Sequence, residues 1–528
     1  MTTLGAYLDA TVARHPEREA VAWAPRDAVT ARLTWAGLRA ASRTAAKKLV
    51  AAGITKGAHV GLLCSNRLEW LPVAFGALRI GAVLVPLSTL WKRDEIAYAL
   101  AHADVSCLVM MPAFLRHDYL ASVREIVPEL TRARPGQLFA ARAPTLRRVV
   151  LLDGEAAGAE AWDDLPADVG DAVLDGLEAA VSPWDRATIF FTSGTTAQAK
   201  AVVHCHAALA TSGARVGQSV GIGTDDAWWG HMPLFWSGGF VIGALASIAG
   251  GGRIVLQESV DAGSALALLE RERCTVMAGW HQAGPLLEHP DFAPRRLFLK
   301  KGSFHALAPK LLGPDHLAVG MYGMSETATC VTAARWDDPE KVRTETFGRP
   351  LPGMELRIVD EAGRPVPPGE SGEILVKGPT LMEGYFRVPR ADTFDADGFF
   401  RTGDVGRIDA DGFLHFATRV KDVIKTAGVN VAAAEVEQVL GRHPAVKSAH
   451  VVGVPHPTRG ENVTAFVVLR PGAAAAGDEL REFCRTSLAS YKVPRRVFVI
   501  PEAELPLTAS GRAEKAALRR RAQAALEE

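Results

Sequence analysis

Thr192-Ser193-Gly194-Thr195-Thr196-Ala197-Gln198-Ala199-Lys200 directly follows the apolar run Ala187-Thr188-Ile189-Phe190-Phe191. A β-branched and aromatic run that stops at a Ser/Gly/Thr cluster ending in Lys reads as a buried strand feeding a loop rich in N–H and hydroxyl donors. Backbone N–H groups in such a turn form an anion-binding concavity, hydroxyls add donors, and a lysine brings a point charge to a polyphosphate. The spacing is not that of the G-x-x-x-x-G-K-[ST] phosphate loop. Taken by itself the stretch serves equally well as a plain surface turn, so the rest of the chain must decide.

Working outward, helical patterns alternate with strand-like runs at His59 to Cys64, Ala82 to Pro86 and Val149 to Leu152. That alternation predicts an α/β fold with parallel sheets covered on both faces. The Pro/Gly-containing stretch Arg132 to Thr145 reads as a surface loop. Beyond about residue 345 short runs split by Gly and Pro, at Met354 to Val359, Gly372 to Val376, Phe399 to Arg401 and Phe413 to Phe416, predict a smaller β-rich subdomain. After Arg419 come helices near Ala433 to Leu440 and Glu479 to Leu488, and strands at Ser448 to Val454, Val463 to Leu469 and Arg496 to Ile500. Leu480, Phe483, Cys484, Ser487 and Leu488 mark the stripe of the second helix that would face a sheet.

At 528 residues the chain exceeds what one growing core accommodates, so at least two domains are expected. Lys plus Arg and Asp plus Glu both total 59, which leaves no bulk field to draw in nucleic acid or an anionic membrane and favours small-molecule chemistry. The six cysteines are scattered without a C-x-x-C pair, which argues against a disulfide framework or a zinc ribbon. His204-Cys205-His206 resembles a metal tract but has no accompanying cluster. The N-terminus lacks a signal-peptide pattern, and the most apolar window, Gly238 to Gly250, is too short for a membrane-spanning helix; the protein is expected to be soluble and cytoplasmic.

Three further segments add chemistry. Tyr322-Gly323-Met324-Ser325-Glu326-Thr327 offers an aromatic ring, hydroxyls and a carboxylate after an apolar strand. Gly398-Phe399-Phe400-Arg401-Thr402-Gly403-Asp404 sets an acidic residue at a Gly turn, where it could accept from sugar hydroxyls. Arg419-Val420-Lys421-Asp422-Val423-Ile424-Lys425-Thr426-Ala427-Gly428 combines charges with a Gly-containing turn ahead of Glu435-Val436-Glu437. Each has a bland reading alone. In this order, behind Thr192 to Lys200 and with Gly372-Glu373 and Gly384-Tyr385-Phe386 between, the chain resembles the acyl-adenylate-forming superfamily of acyl-CoA synthetases, luciferases and nonribosomal adenylation domains.

The resemblance runs from Leu8 to Gly511. It implies a large N-terminal domain, residues 1–420, of parallel-sheet α/β subdomains plus a β-rich subdomain. It implies a small, mobile α+β C-terminal domain, residues 421–528, that turns about a hinge at Lys421. It implies two steps: a carboxylate attacks the α-phosphate of ATP, giving an acyl adenylate and pyrophosphate, and a thiol or other nucleophile then displaces AMP. By position, Thr192, Ser193, Gly194, Thr195, Thr196 and Lys200 would hold the β- and γ-phosphates, Glu326 would bind Mg²⁺ and Thr327 the α-phosphate. Asp404 would take the ribose with help from Arg419, Tyr322 and Gly302-Ser303 would flank the adenine, and Gly428 would border the path of CoA, the implied second substrate.

Some positions depart from the family pattern. Its C-terminal signature Pro-x-Thr-x-x-Gly-Lys here reads Pro506-Leu507-Thr508-Ala509-Ser510-Gly511-Arg512, which puts a planar guanidinium in the place of the adenylation lysine; Lys515 stands about one helical turn later. Ala197 and Ala199 replace Gly and Pro in the phosphate loop, and Ala433 replaces a helix-starting Pro. Trp236 replaces a His beside the acyl pocket, where His231 and Trp280-His281-Gln282 are further candidates; Trp and His clusters are more often core, but lining the pocket they would narrow it toward a small, aromatic or polar acid. Three functions stand open: an acid:CoA ligase; an adenylating enzyme serving an amine or another non-CoA nucleophile, as in biosynthetic relatives that activate even an inorganic acid such as nitrite; and a nucleotide-binding homologue without catalysis. The expected partners are the small-molecule acid and acceptor, not nucleic acid.

Overall fold

The apolar run ahead of the loop forms the strand Arg186–Thr192, buried from Ala187 to Phe190. The computed structural model describes residues 1–192, 199–279, 282–419, 423–426, 429–456, 460–488, 492–508 and 511–527. The chain divides into two units, Met1–Glu355 with Val376–Phe400, and Leu356–Leu375 with Arg401–Glu528.

In the first unit an eight-stranded sheet runs in the order 384–385, 200–205, 186–192, 83–87, 59–63, 107–110, 148–151, 160–161. From Arg186–Thr192 to the far edge its neighbours are parallel. Val83–Leu87 and Cys107–Met110 are buried along their whole length, as parallel strands covered on both faces require. The sheet is not parallel throughout: Lys200–Cys205 and Gly384–Tyr385 are antiparallel additions at one edge. An antiparallel partner can follow after a short connection whereas a parallel one needs a long crossover, so Thr192 and Lys200 end up paired directly opposite each other.

A second, six-stranded sheet runs 301–302, 276–277, 227–230, 253–257, 19–24, 31–34. Trp229, Val255, Leu266, Leu269, Met277 and Leu311 belong to the core packed on it. The apolar window after Ser237 is buried helix whose first turns, Gly238–Leu245, are π-helical. Two glycines allow its close approach: a Cβ on Gly239 would stand 2.1 Å from Pro233 O, and one on Gly243 2.1 Å from Trp228. Among the described residues no helix is long and apolar enough to cross a membrane.

The second unit holds a four-stranded sheet, 355–359, 372–377, 400–408 and 414–419, and a five-stranded sheet built on the long hairpin Val446–His456 and Gly460–Leu469. The helices Ala433–Gly441 and Gly477–Arg485 cover one face of the latter through Val436, Leu440, Leu480 and Cys484, and Lys515–Glu527 covers the other through Leu518 and Ala522. Two details differ from the sequence reading. The second of these helices ends at Arg485, so Ser487 is exposed while Leu488 still reaches the core. Asp404 lies within the strand Phe400–Ile408, not at a turn, because Gly403 (φ +70°) and a bulge between Val405 and Gly406 absorb the irregularity and let pairing continue.

Candidate active site

The antiparallel strands Arg186–Thr192 and Lys200–Cys205 pair Thr192 with Lys200, the two outer members of the predicted motif. Ser193, Gly194, Thr195 and Thr196 lie outside the described residues. Packing fixes both stems. Trp91 and Tyr98 set their rings edge-on to Phe191, with centroids 5.4 and 6.1 Å away, and the Tyr98 hydroxyl donates to Ala199 O at 3.2 Å.

The segment Met321 to Thr327 delivers the carboxylate. Its short strand Met321–Tyr322 leads to a single 3₁₀ turn, Ser325–Thr327. The buried Thr327 hydroxyl donates to Met324 O at 3.0 Å and accepts from Met324 N at 3.1 Å, so in this structure it closes the turn; reaching a phosphate requires that donor to change partners. Gly323 cannot carry a side chain, since a Cβ would lie 2.0 Å from Thr329 O. Ala328 and Thr329 follow at φ +47° and +81°, left-handed conformations costly for residues with a Cβ, and Ser212 donates to Ala328 O at 2.6 Å. His204 is fully buried, and its Nε2–H donates to Ser325 O at 2.6 Å. Burial pushes the imidazole down to about 4, so it is a neutral strut. His206 is likewise lowered to about 4 by burial, and its Nδ1 accepts from Leu4 N at 3.3 Å.

Glu326 accepts from the Tyr385 hydroxyl at 2.8 Å, and the Lys200 ammonium stands 4.6 Å from the centre of the same ring. Burial first, then the neighbouring carboxylate, hold the Tyr385 phenol well above its ordinary range, so it is a donor. The structure thus brings Glu326 and Lys200, 126 positions apart in sequence, onto one side chain.

Gly302 and Ser303, the expected adenine flank, lie where the backbone is closely packed. Gly302 has φ +139° and a Cβ there would lie 1.7 Å from Met277 O, while Ser303 bridges Val319, three residues before the buried Tyr322. Trp228 and Trp229 are core, the latter donating to Gln257 at 2.8 Å. His231 is buried, stacks on Trp229 with centroids 3.9 Å apart and lies 3.1 Å from Gly279 O; Trp236 is half-buried against Phe235. His281 lies outside the described residues. Asn66 was not legible as a site residue, yet its buried amide donates to Gly230 O and Met232 O at 2.9 and 3.0 Å and accepts from Leu234 N at 2.9 Å, clamping the His231 segment to the end of strand His59–Leu63. No local motif announces such a clamp, because all its partners are backbone groups far away in sequence.

In the second unit Asp404 is buried and is the register partner of Arg419. Thr402 donates to Ile374 O at 2.7 Å and accepts from Asp404 N at 3.0 Å, which fixes the strand there. Lys421 and Gly428 lie outside the described residues. Arg512 is exposed; its N–H donates to the Thr508 hydroxyl at 3.2 Å, and its carbonyl accepts from Thr508 N at 2.7 Å. Lys515, the alternative cation, pairs with Glu437 at 2.9 Å.

Residues 8–386 match the family model of AMP-binding enzymes and residues 435–512 that of the AMP-binding enzyme C-terminal domain. The chain is 32% identical to the putative acyl-CoA synthetase YngI of Bacillus subtilis over 98% of its length and 96% of that protein's. Its fold superposes on ATP-bound MatB from Rhodopseudomonas palustris (TM-score 0.81, 26% identity, 99% of each chain) and on the amide bond synthetase McbA from Marinactinospora thermotolerans (TM-score 0.80, 29% identity, 98% and 99%). The chain therefore belongs to the AMP-binding enzyme family and is an AMP-forming ligase of acyl-CoA synthetase kind, with an α/β fold of a large N-terminal and a small C-terminal domain.

Proposed function

We propose that the protein activates a carboxylic acid with ATP as an acyl adenylate, releasing pyrophosphate, and passes the acyl group to CoA. The observation that carries this reading is the convergence of Lys200, from the closing pair of the Ser/Gly/Thr loop, and Glu326 on Tyr385. Lys200 and the loop donors would meet the β- and γ-phosphates, and Tyr322 with Gly302-Ser303 would border the adenine. Asp404 and Arg419 would bind the ribose, Gly428 would border the CoA path, and Arg512 would serve adenylation. Preorganised donors of this sort are typically worth a few kcal/mol each where charge develops on phosphate oxygens.

Glu326 suits Mg²⁺: it is a carboxylate with one oxygen oriented by Tyr385, and Mg²⁺ takes one or two carboxylates together with substrate phosphates. Bound there, the ion would neutralise phosphate charge. His231, Trp236 and His281 are the proposed pocket residues, favouring a small, aromatic or polar acid. The division at 420/421 with a hinge at Lys421, and a cytoplasmic location, belong to the same proposal.

A second acceptor is favoured by Arg512 in the adenylation-lysine position and by the likeness to an amide bond synthetase: the adenylate would then go to an amine. Pyrophosphate release from ATP, measured against aliphatic, aromatic and small inorganic acids with and without CoA, separates the readings. Acid-dependent release with a CoA thioester is expected. Release without thioester supports the second acceptor, and ATP binding with no release for any acid identifies a non-catalytic homologue.

A further inference from the structure

Tyr385 stands between the loop lysine and the turn carboxylate, and its backbone is fixed from two sides. Gly384–Tyr385 pairs antiparallel with the return strand, Val203 opposite Gly384 and Val202 opposite Tyr385. The N–H groups of Glu383 and Phe386 donate to Val203 O and Ala201 O at 2.9 and 2.8 Å, and Met382 N–H donates to the carbonyl of Glu326 at 2.8 Å. An ion pair of Arg186 with Glu383 ties the same segment to the outgoing strand. Strand geometry then dictates where the ring goes. Residues 200 and 202 share a face, Tyr385 lies opposite 202, and Lys200 is therefore its diagonal neighbour, within reach of an aromatic ring.

The arrangement keeps opposite charges apart. A lysine and a glutamate this near one another would gain by pairing directly, and a direct pair would have to break each time nucleotide arrived. Here the hydroxyl occupies the carboxylate and the π-face occupies the ammonium. Among the described residues no ion pair joins Glu326 to Lys200.

We propose that Tyr385 is a positioning residue for the nucleotide phosphates, holding Glu326 and Lys200 separated and oriented so that each is available to ATP and its metal ion. This rests on the reading of Glu326 and Lys200 as the groups that meet ATP. The test is calorimetric titration of ATP with and without Mg²⁺, with no acid present, so that it needs no knowledge of the substrate.

Tyr385→Phe keeps the ring and loses the hydroxyl. It is expected to cut the Mg²⁺-dependent gain in ATP affinity by roughly tenfold while leaving Mg²⁺-free affinity within about twofold, the size of one hydrogen bond to a charged group. Tyr385→Leu is expected to weaken Mg²⁺-free binding as well, by about fivefold, as Lys200 swings to Glu326. In a Lys200→Met background that extra loss should vanish. Unchanged Mg²⁺ dependence in Tyr385→Phe, or a Tyr385→Leu loss that persists in Lys200→Met, overturns the proposal in favour of mere packing. Should Tyr385→Leu not fold, Tyr385→Phe decides alone. Wild-type protein that binds no ATP sinks the parent reading too, whereas binding that ignores Tyr385 sinks only this inference.

Discussion

The segment carrying Glu326 and the segment carrying Arg512 both belong to the predicted nucleotide chemistry, but they are built differently. Around Glu326 the backbone is held by the buried His204 and Ser212, by Met382 and by a pair of left-handed residues, while Tyr385 holds the half-buried carboxylate itself. Around Arg512, which is exposed, the contacts are backbone ones: hydrogen bonds with Thr508, the flanking bridge of Leu507 to Ala513, and Glu514 N–H to Pro506 O. The function proposed for the first region would rest on fixed placement, where errors propagate into stability. The second presents one exposed charge, so a change there should alter chemistry and leave the fold alone.

The strongest way to sharpen that contrast is Arg512→Ala, expected to slow acid-dependent pyrophosphate release by about a hundredfold or more with apparent Tm moved by no more than an exposed substitution gives. Arg512→Lys should change the rate in the direction of the compact ammonium the family uses; a rate equal to wild type would show that the guanidinium already does the same work. Asn66→Ala probes the locked side. It strips three backbone groups of their partner in a buried site, which should cost about 2–4 kcal/mol, read as a fall in apparent Tm.

Acid should attack the two regions unequally. His204 and His206 are lowered to about 4 from 6.5. Between those values the unfolded chain takes up protons that the folded chain refuses, so stability present in full above about pH 6.5 is lost as pH falls toward 4, by up to roughly 3 kcal/mol for each ring. Tm against pH should therefore slope across that window, and His204→Leu should flatten the slope; an unchanged slope would place the burial cost elsewhere. The smallest effect belongs to Lys515→Ala. Its half-buried pair with Glu437 suggests a loss of about 0–1 kcal/mol, with adenylation nearly unchanged if Lys515 is structural and not the missing lysine.

Much of the fold is legible in the sequence. The parallel strands at 59–63, 83–87 and 148–151 are read from largely apolar runs between helical periods, whereas their neighbour at 107–110 is not. Lys200 and Glu326 could be proposed from the sequence because phosphate and metal chemistry restricts which residue types can serve. Asn66, His204 and Tyr98 could not, because a side chain that binds the main chain leaves no partner residue type to recognise. Asp404 was placed at a turn because a glycine usually marks one, and only the pairing with 414–419 shows that the strand runs on through it.

The sequence by itself determined the class of fold, the order of its elements and the chemical groups available, since periodicity, composition and motif spacing are local properties of the chain. Only the tertiary structure decided that Thr192 and Lys200 face each other across an antiparallel pair, that Thr327 spends its hydroxyl on its own turn, and that Tyr385 links Lys200 to Glu326. Those are facts of pairing register and of contacts between distant segments, set by which backbone groups find partners when the sheet closes, and nothing in local sequence encodes them.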